Sequence, residues 1–195
     1  MAILRVVTYG EDSLREPSKE VHKVSSKIQK LIDDMLDTMY ANNGVGLAAP
    51  QVGENIRLFV IDAASGDEPS NPLVFVNPKI VKKEGAVNSY EGCLSFPEVY
   101  INVRRYERVI VRAKDRRGKP FSLEATGGSL LARAIQHEND HLEGSLFIDH
   151  TRNRFETDNQ LQEKGLPAIQ PEKLLEEPEL EEVIQARETA VSVES

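Results

Sequence analysis

The sequence contains a single cysteine, Cys93, so an internal disulfide is excluded. A lone thiol is typical of proteins from a reducing compartment, where it is often a small buried hydrophobic residue. No run of about eighteen apolar residues is present, which excludes a transmembrane helix. The first residues also lack the apolar core of a secretory signal. These absences predict a cytoplasmic protein that does not associate with membranes.

Acidic charge is concentrated near the C-terminus. The net charge is -8 at pH 7, and residues 171–195 hold eight Glu against one Lys and one Arg, a local balance of -6. The preceding 170 residues therefore carry only -2, and we expect no direct DNA binding. Gly-Leu-Pro at 165–167 marks a boundary before this acidic stretch. We therefore predict one compact domain over residues 1–165 and an acidic C-terminal extension over residues 166–195, partly helical or disordered.

Hydrophobic periodicity predicts two helices separated by several strands. The first helix spans residues 25–43 and begins at a serine cap, and the second spans about 129–142 and is followed by Gly144. Strand-like segments are found at 4–8, 57–62, 73–76, 107–114 and 121–123, and a turn at 115–118 joins the last two. The periodicity weakens after residue 149. This order of elements predicts an α+β fold rather than a regular βαβ alternation.

The second predicted helix carries a metal-binding pattern. His137 and His141 are four residues apart, so both imidazoles lie on one helix face and can reach one metal ion. Glu138 can reach a water on that metal without being a ligand. A catalytic site needs a third protein ligand, but Phe147 occupies the position where an extended zinc-protease pattern has histidine. Cys93 is the obvious remaining candidate.

Residues 44–51 form a glycine-rich segment that must be distinguished from a nucleotide-binding loop. The glycine spacing superficially fits a dinucleotide fingerprint, but the segment follows a helix and precedes a strand, which is the reverse of the required order. No phosphate-binding Gly-Lys-Ser/Thr sequence is present. We interpret the glycines as allowing a loop to pack tightly beside a site, with the Gln51 amide available as a hydrogen-bond donor.

Three segments together resemble one family, the peptide deformylases. They are Gly-Val-Gly-Leu-Ala-Ala-Pro-Gln at 44–51, Glu-Gly-Cys-Leu-Ser at 91–95 and Gln-His-Glu-Asn-Asp-His-Leu at 136–142. Their order and spacing agree with the family from near residue 4 to about residue 149, and the leucine after the cysteine favours the bacterial/organellar type 1 branch. The resemblance implies an α+β deformylase-like fold, with mixed or antiparallel sheets around a central metal-binding helix, and it makes residues 1–165 the catalytic domain.

The resemblance implies hydrolysis of the N-formyl group from N-formylmethionyl nascent polypeptides, with release of formate. Cys93, His137 and His141 would bind one divalent metal per chain, typically iron(II), with zinc, nickel or cobalt as substitutes. The metal would lower the pKa of its water, and the resulting hydroxide would attack the formyl carbon. Glu138 would act as general base and then as general acid.

The resemblance also implies roles for the remaining site positions. The Gln51 side-chain amide and the Leu94 backbone N–H would stabilise the oxyanion. Arg105 would pair with Glu91 and thereby orient the cysteine loop. The residues that would contact the substrate are Val45, Gly46, Leu130, Arg133 and Ala134.

Three other functions remain open from the residues alone. They are a metalloprotease with a different third ligand, a hydrolase with a cysteine nucleophile, and a non-catalytic structural metal domain or peptide-binding relative. Some deformylases act at the ribosome, where a basic C-terminal segment can meet RNA. Because residues 171–195 are acidic, we expect that they do not mediate ribosome docking, whereas the body of the protein can still contact the ribosome.

Overall fold

The structure is a computed structural model that describes residues 2–64 and 69–175. Seven β-strands and three α-helices make up this part of the chain. The strands are β1 Gly46–Ala48, β2 Leu58–Ile61, β3 Leu73–Glu84, β4 Val87–Cys93, β5 Phe96–Arg105, β6 Arg108–Lys114 and β7 Pro120–Ala125. The helices are α1 Ser26–Ala41, α2 Leu130–Glu143 and α3 Arg154–Glu163. Among these helices none is both long and apolar enough to span a membrane.

The strands form two antiparallel sheets. Five of them pair in the order β1-β2-β3-β6-β7, and β4 and β5 form a separate two-stranded ribbon. The ribbon ends at the turn that carries Cys93 and Leu94, where the β4–β5 register shifts. The predicted α+β class is therefore confirmed, and every pairing between the seven named strands is antiparallel.

Helices cover both faces of the five-stranded sheet. On β2, Phe59 and Ile61 pack with α2, whereas Leu58 and Val60 pack with α1. Every residue of β2 is buried, which explains why its sequence is a continuous apolar run rather than an alternating one. The same packing presses the inner face of α2 against the sheet and so fixes where its polar side chains lie.

Both predicted long helices are confirmed at closely similar bounds. The Ser25 side chain caps α1 by accepting a hydrogen bond from a backbone N–H. Ser129 caps α2 in the same way, and Gly144 ends it in the left-handed conformation at φ 72°. The tight capping of α2 at both ends holds the helix in register against the sheet.

Several segments differ from the sequence-based prediction. Strand β1 lies in the segment interpreted as a loop, and β3 continues to Glu84 rather than ending at residue 76. Residues 4–8 do not form a strand, because their backbone N–H groups bond to acceptors outside any strand. Val7 N donates to Gln51 O in a 3-10 turn at 2.8 Å, and Leu4 N donates to the Thr38 side chain of α1 at 2.9 Å. Helix α3 was not predicted because its buried residues are only Thr157 and Leu161, which give no apolar stripe. The β4–β5 ribbon was also not predicted, since β4 mixes polar residues with glycine.

The first residues of the predicted C-terminal extension lie against the body. Ile169 is buried in the core cluster that also contains Phe96 and Phe147, and Leu166 and Leu174 pack against it. Compact packing therefore continues past residue 165. Residues 176–195, which carry most of the acidic charge, lie outside the described residues, so the prediction for that part of the extension stays a prediction.

Candidate active site

Three potential metal ligands converge where α2 meets the end of the β4–β5 ribbon. His137 and His141 lie one turn apart on the buried face of α2, and Cys93 is the last residue of β4. One ligand atom from each residue lies within 4.8 Å of the others, and the Cys93 Sγ is 3.4 Å from His141 Nε2. The structure therefore brings together the three residues that the sequence analysis selected as ligands.

The electrostatics of this cluster suit a divalent transition metal. Burial lowers the pKa of His141 well below its usual value, which keeps the ring neutral and able to ligate. Burial also disfavours charge on His137, but the neighbouring Cys93 and Glu91 outweigh this effect and raise its pKa. The negative environment that favours a proton at His137 also attracts a metal cation. A cysteine with two histidines leaves a fourth position open, as catalytic sites require.

A buried ion-pair network orients His137. The Nδ1–H of His137 donates to Glu91 Oε2 at 3.0 Å, which leaves Nε2 free for a metal. Arg105 donates to both oxygens of Glu91, at 3.0 and 2.9 Å, and to Asp140 at 2.5 Å. Burial opposes ionisation of Glu91, but Arg105 and the bond from His137 outweigh it and lower its pKa to about 2. The predicted Glu91–Arg105 pair is present and supports the histidine as well as the cysteine loop.

Glu138 lies beside the metal ligands with an unusual environment for a carboxylate. Only 4% of its surface is exposed, and burial raises its pKa to about 7. Its Oε2 atom is buried and has no hydrogen-bond partner in the described part of the chain. The carboxylate packs directly on the backbone of β1 at Gly46. No side chain would fit between them, since a Cβ built on Gly46 would lie 2.3 Å from Glu138 Oε1. Glycine at position 46 is therefore a steric requirement of the Glu138 position.

Gln51 lies on the other side of the thiol. It sits in a short 3-10 turn, Ala49–Val52, and its Oε1 accepts a hydrogen bond from Ala48 N at 2.8 Å. This bond fixes the amide so that Nε2 points toward Cys93 Sγ and Ser95 Oγ, each at 3.3 Å. The interpretation of the glycine-rich segment as a tightly packed loop that presents the Gln51 amide agrees with this geometry.

The ligand cluster opens into a cleft of about 660 Å³, a volume typical of ligand-binding sites. Its lining includes all five residues that were expected to contact substrate, namely Val45, Gly46, Leu130, Arg133 and Ala134. Leu94 and Glu91 also line this cleft. The expected catalytic and substrate-binding residues therefore share one cavity with two of the three metal ligands, Cys93 and His137.

Sequence reasoning does not reveal two exposed aromatic residues of the cleft. Tyr90 and Tyr100 are 64% and 62% exposed and stand on the same face of the β4–β5 ribbon. The Tyr100 ring covers Gly92, since a Cβ on that glycine would lie 2.6 Å from the ring. The two tyrosines would have been found only if the ribbon had been predicted, because their alternation along paired strands is what brings them together.

Comparison with known proteins decides the family. The family model described as polypeptide deformylase matches residues 3–156. A peptide deformylase from Thermodesulfovibrio yellowstonii is 48% identical over 149 residues, which cover 76% of this chain and 89% of that protein. The chain belongs to the peptide deformylase family. This confirms the resemblance inferred from the three motifs.

Solved deformylase structures share the fold. A crystal structure from Synechococcus elongatus in complex with actinonin is 46% identical, has a TM-score of 0.83, and covers 88% of this chain and 94% of its own. A Met-Ala-Ser-bound class I type b deformylase from Acinetobacter baumannii is 35% identical and has a TM-score of 0.72. The match covers 76% of this chain and 98% of that protein. The deformylase fold is therefore confirmed, and Cys93, His137 and His141 form a candidate metal site within it.

Proposed function

We propose that this deformylase hydrolyses the N-formyl group of N-formylmethionyl nascent polypeptides and releases formate. The observation that carries the proposal is the position of Glu138 and Gln51 beside the Cys-His-His cluster. This arrangement supplies a proton acceptor and a hydrogen-bond donor at one reacting centre. We place the reaction in the cytoplasm, where the Cys93 thiol stays reduced.

Cys93, His137 and His141 would hold the metal, and iron(II) is the ion that we propose, with zinc, nickel or cobalt able to replace it. When bound, a divalent cation supplies Lewis-acid activation of a water molecule at neutral pH. The thiol belongs to this ligand set rather than acting as a nucleophile, because it faces two imidazoles instead of one histidine base.

Glu138 handles the proton in the proposed reaction. Its carboxylate is buried beside the ligands and accepts the proton of the attacking water, and it then delivers that proton to the nitrogen of the departing peptide amine. The C–N bond of the formamide breaks, which yields formate and a free N-terminal amine. The contact with Gly46 holds the carboxylate in place for both transfers.

Gln51 and Leu94 stabilise the negative charge that develops on the formyl oxygen. The Gln51 Nε2 donor is already oriented by the bond from Ala48 N to its Oε1, so little reorganisation is needed. The Leu94 backbone N–H follows Cys93 in the turn of the ribbon and supplies the second donor. Both donors lie close to the Cys93 thiol: Gln51 Nε2 bonds to its sulfur, and Leu94 is the residue that follows it in the chain.

The cleft accommodates a methionine side chain followed by a short extended peptide. Val45, Leu130 and Ala134 provide the apolar wall and Arg133 the rim. The Met-Ala-Ser peptide held by the Acinetobacter baumannii relative supports a binding site for the first three residues. Tyr90 and Tyr100 line the same cleft with exposed rings, and we expect them to contact the residues after methionine.

The test is formate release from formyl-Met-Ala-Ser by metal-loaded protein. Glu138→Ala is expected to lower kcat by about 10²- to 10⁴-fold while metal content stays at the wild-type value. Glu143→Ala provides the matched control, because Glu143 lies on the same helix but is exposed and pairs with Arg57; it is expected to keep full activity. Equal activity of the Glu138 variant, or internal cleavage of unformylated peptides, would contradict the proposal.

A further inference from the structure

The start of α1 and the β6–β7 hairpin form a basic surface at one end of the molecule. Residues 22–30 and 112–119 together contain eight Lys and Arg and one acidic residue, Asp115. The two segments are in contact: Gln29 Nε2 donates to the Arg116 carbonyl, and Arg116 Nε donates to Gln29 Oε1 at 3.2 Å. In a chain with a net charge of -8, this is a pronounced local segregation of positive charge.

Most of these cations form no ion pair with a carboxylate of the described residues. Lys30 pairs with Asp34 and Arg116 with Asp33, and Asp115 is used in its own turn, where it accepts backbone N–H groups at 2.8 and 2.9 Å. The remaining cations are exposed, and no ion pair joins them to a carboxylate of residues 2–64 or 69–175. They are Lys23, Lys27, Arg112, Lys114, Arg117 and Lys119, and with the neighbouring Lys79 they define the hairpin surface.

The hairpin surface violates two local electrostatic preferences. Lys79 stands directly opposite Arg112 in the β3–β6 register, where like charges repel. Lys27 lies in the first turn of α1, which contains no acidic residue and where the helix dipole disfavours a cation. Folding gains nothing from either arrangement. Positions where local rules are broken without local compensation are characteristic of functional surfaces.

We propose that the hairpin surface binds the phosphate backbone of RNA. Neighbouring strands and alternate residues place these cations on a grid with spacings of about 5 to 7 Å, so several phosphates of one strand can be contacted together. None of the large exposed hydrophobic residues of the described chain belongs to the surface, which disfavours insertion into a membrane. Without an exposed aromatic ring to stack on bases, recognition is electrostatic and independent of sequence.

The hairpin surface is well separated from the cleft. The contacts with the hairpin are made near the N-terminal end of α1, whereas residues 42–46 at its other end line the cleft. Sixteen helical residues correspond to about 24 Å. RNA can therefore bind while the cleft stays open to a peptide. The binding can be measured without substrate, so its failure would leave the proposed deformylation untouched.

The experiment measures binding of the full chain to a fluorescein-labelled 30-nucleotide uridine oligomer by anisotropy between 50 and 200 mM KCl. A variant with Arg112→Gln, Lys114→Gln and Arg117→Gln removes three cations of the hairpin surface. A control with Arg154→Gln, Lys164→Gln and Lys173→Gln makes the same change in net charge at exposed positions outside the hairpin surface. Both variants should retain the melting temperature and formyl-peptide hydrolysis of the wild type.

We expect the wild type to bind RNA with an affinity that falls as salt increases. The hairpin variant should bind at least tenfold more weakly at 50 mM KCl, with a slope of log K against log salt reduced by about 2, because three phosphate contacts are lost. The control should match the wild type. Three results would overturn the proposal. The first is absence of RNA binding, and the second is an equal loss of binding in both variants. The third is binding to vesicles of three parts phosphatidylcholine and one part phosphatidylglycerol but not to RNA.

Discussion

Replacing Gly46 with alanine is expected to inactivate the enzyme through Glu138 without removing the metal. The new Cβ would lie 2.3 Å from Glu138 Oε1, whereas ordinary contacts begin at 3.4 Å. The carboxylate must therefore move by about 1 Å, which is the scale at which misplacement of a catalytic group costs about 10²-fold in rate. The three atoms nearest to the new methyl group all belong to Glu138 rather than to a metal ligand, so metal content should remain unchanged.

The same contact also predicts the effect of Gly46→Ala on stability. Overpacking of a buried site costs about 1 to 3 kcal/mol, and the glycine has no positive φ that would add backbone strain. Because the three heavy atoms nearest to the new Cβ all belong to the Glu138 side chain, Glu138→Ala should remove the main clash. In the Glu138→Ala background, Gly46→Ala is therefore expected to change the free energy of unfolding by much less than in the wild type.

The assay is a double-mutant cycle on the free energy of unfolding, measured by urea denaturation, together with kcat for formyl-Met-Ala-Ser in the wild type and the Gly46→Ala variant. Metal analysis of each preparation separates loss of the ion from loss of the proton acceptor. If Gly46→Ala costs the same stability in both backgrounds, or if the single variant keeps wild-type kcat, the assignment of Gly46 as the steric support of Glu138 is refuted.

Three further predictions address other parts of the site. Glu91→Ala should destabilise the protein by about 3 to 5 kcal/mol in urea denaturation. The reason is that Arg105, which is only 3% exposed, would lose one of its two carboxylate partners. An unchanged unfolding midpoint would contradict this role of Glu91. Removal of the metal with a chelator should lower the melting temperature, and readdition of iron(II) under anaerobic conditions should restore it, since a ligand bound only by the native state stabilises it. Tyr100→Ala should raise KM for formyl-Met-Ala-Ser more than for formylmethionine amide, and equal KM changes would exclude Tyr100 from contact with residues after methionine.

The metal site was predictable from sequence because two of its three ligands are close together in the chain. His137 and His141 are brought together by helix periodicity alone, and the sole cysteine left few choices for a third ligand. The order of the motifs then led to the family, and the capped bounds of α1 and α2 followed from serine and glycine at their ends.

Other features could not be predicted because they depend on contacts between distant segments. The link from Arg105 to Asp140 joins the end of β5 to α2 across 35 positions, and sequence spacing does not reveal such a pairing. The steric fit of Gly46 against Glu138 likewise requires β1 and α2 to be placed. Tyr90 and Tyr100 become neighbours only through the register of the ribbon. Residues 4–8 are apolar enough to suggest a strand, but their backbone N–H groups bond to a 3-10 turn and to a helix side chain instead of a neighbouring strand.

The most direct test of the account is metal content and formate release measured in one anaerobic preparation of the wild type and Cys93→Ala. The thiol is assigned as the third ligand of a site whose other ligands are His137 and His141. We predict about one metal ion per wild-type chain, with iron(II) supporting formate release from formyl-Met-Ala-Ser. Cys93→Ala should lose most of both the metal and the activity, whereas wild-type metal content in this variant would contradict the Cys-His-His site.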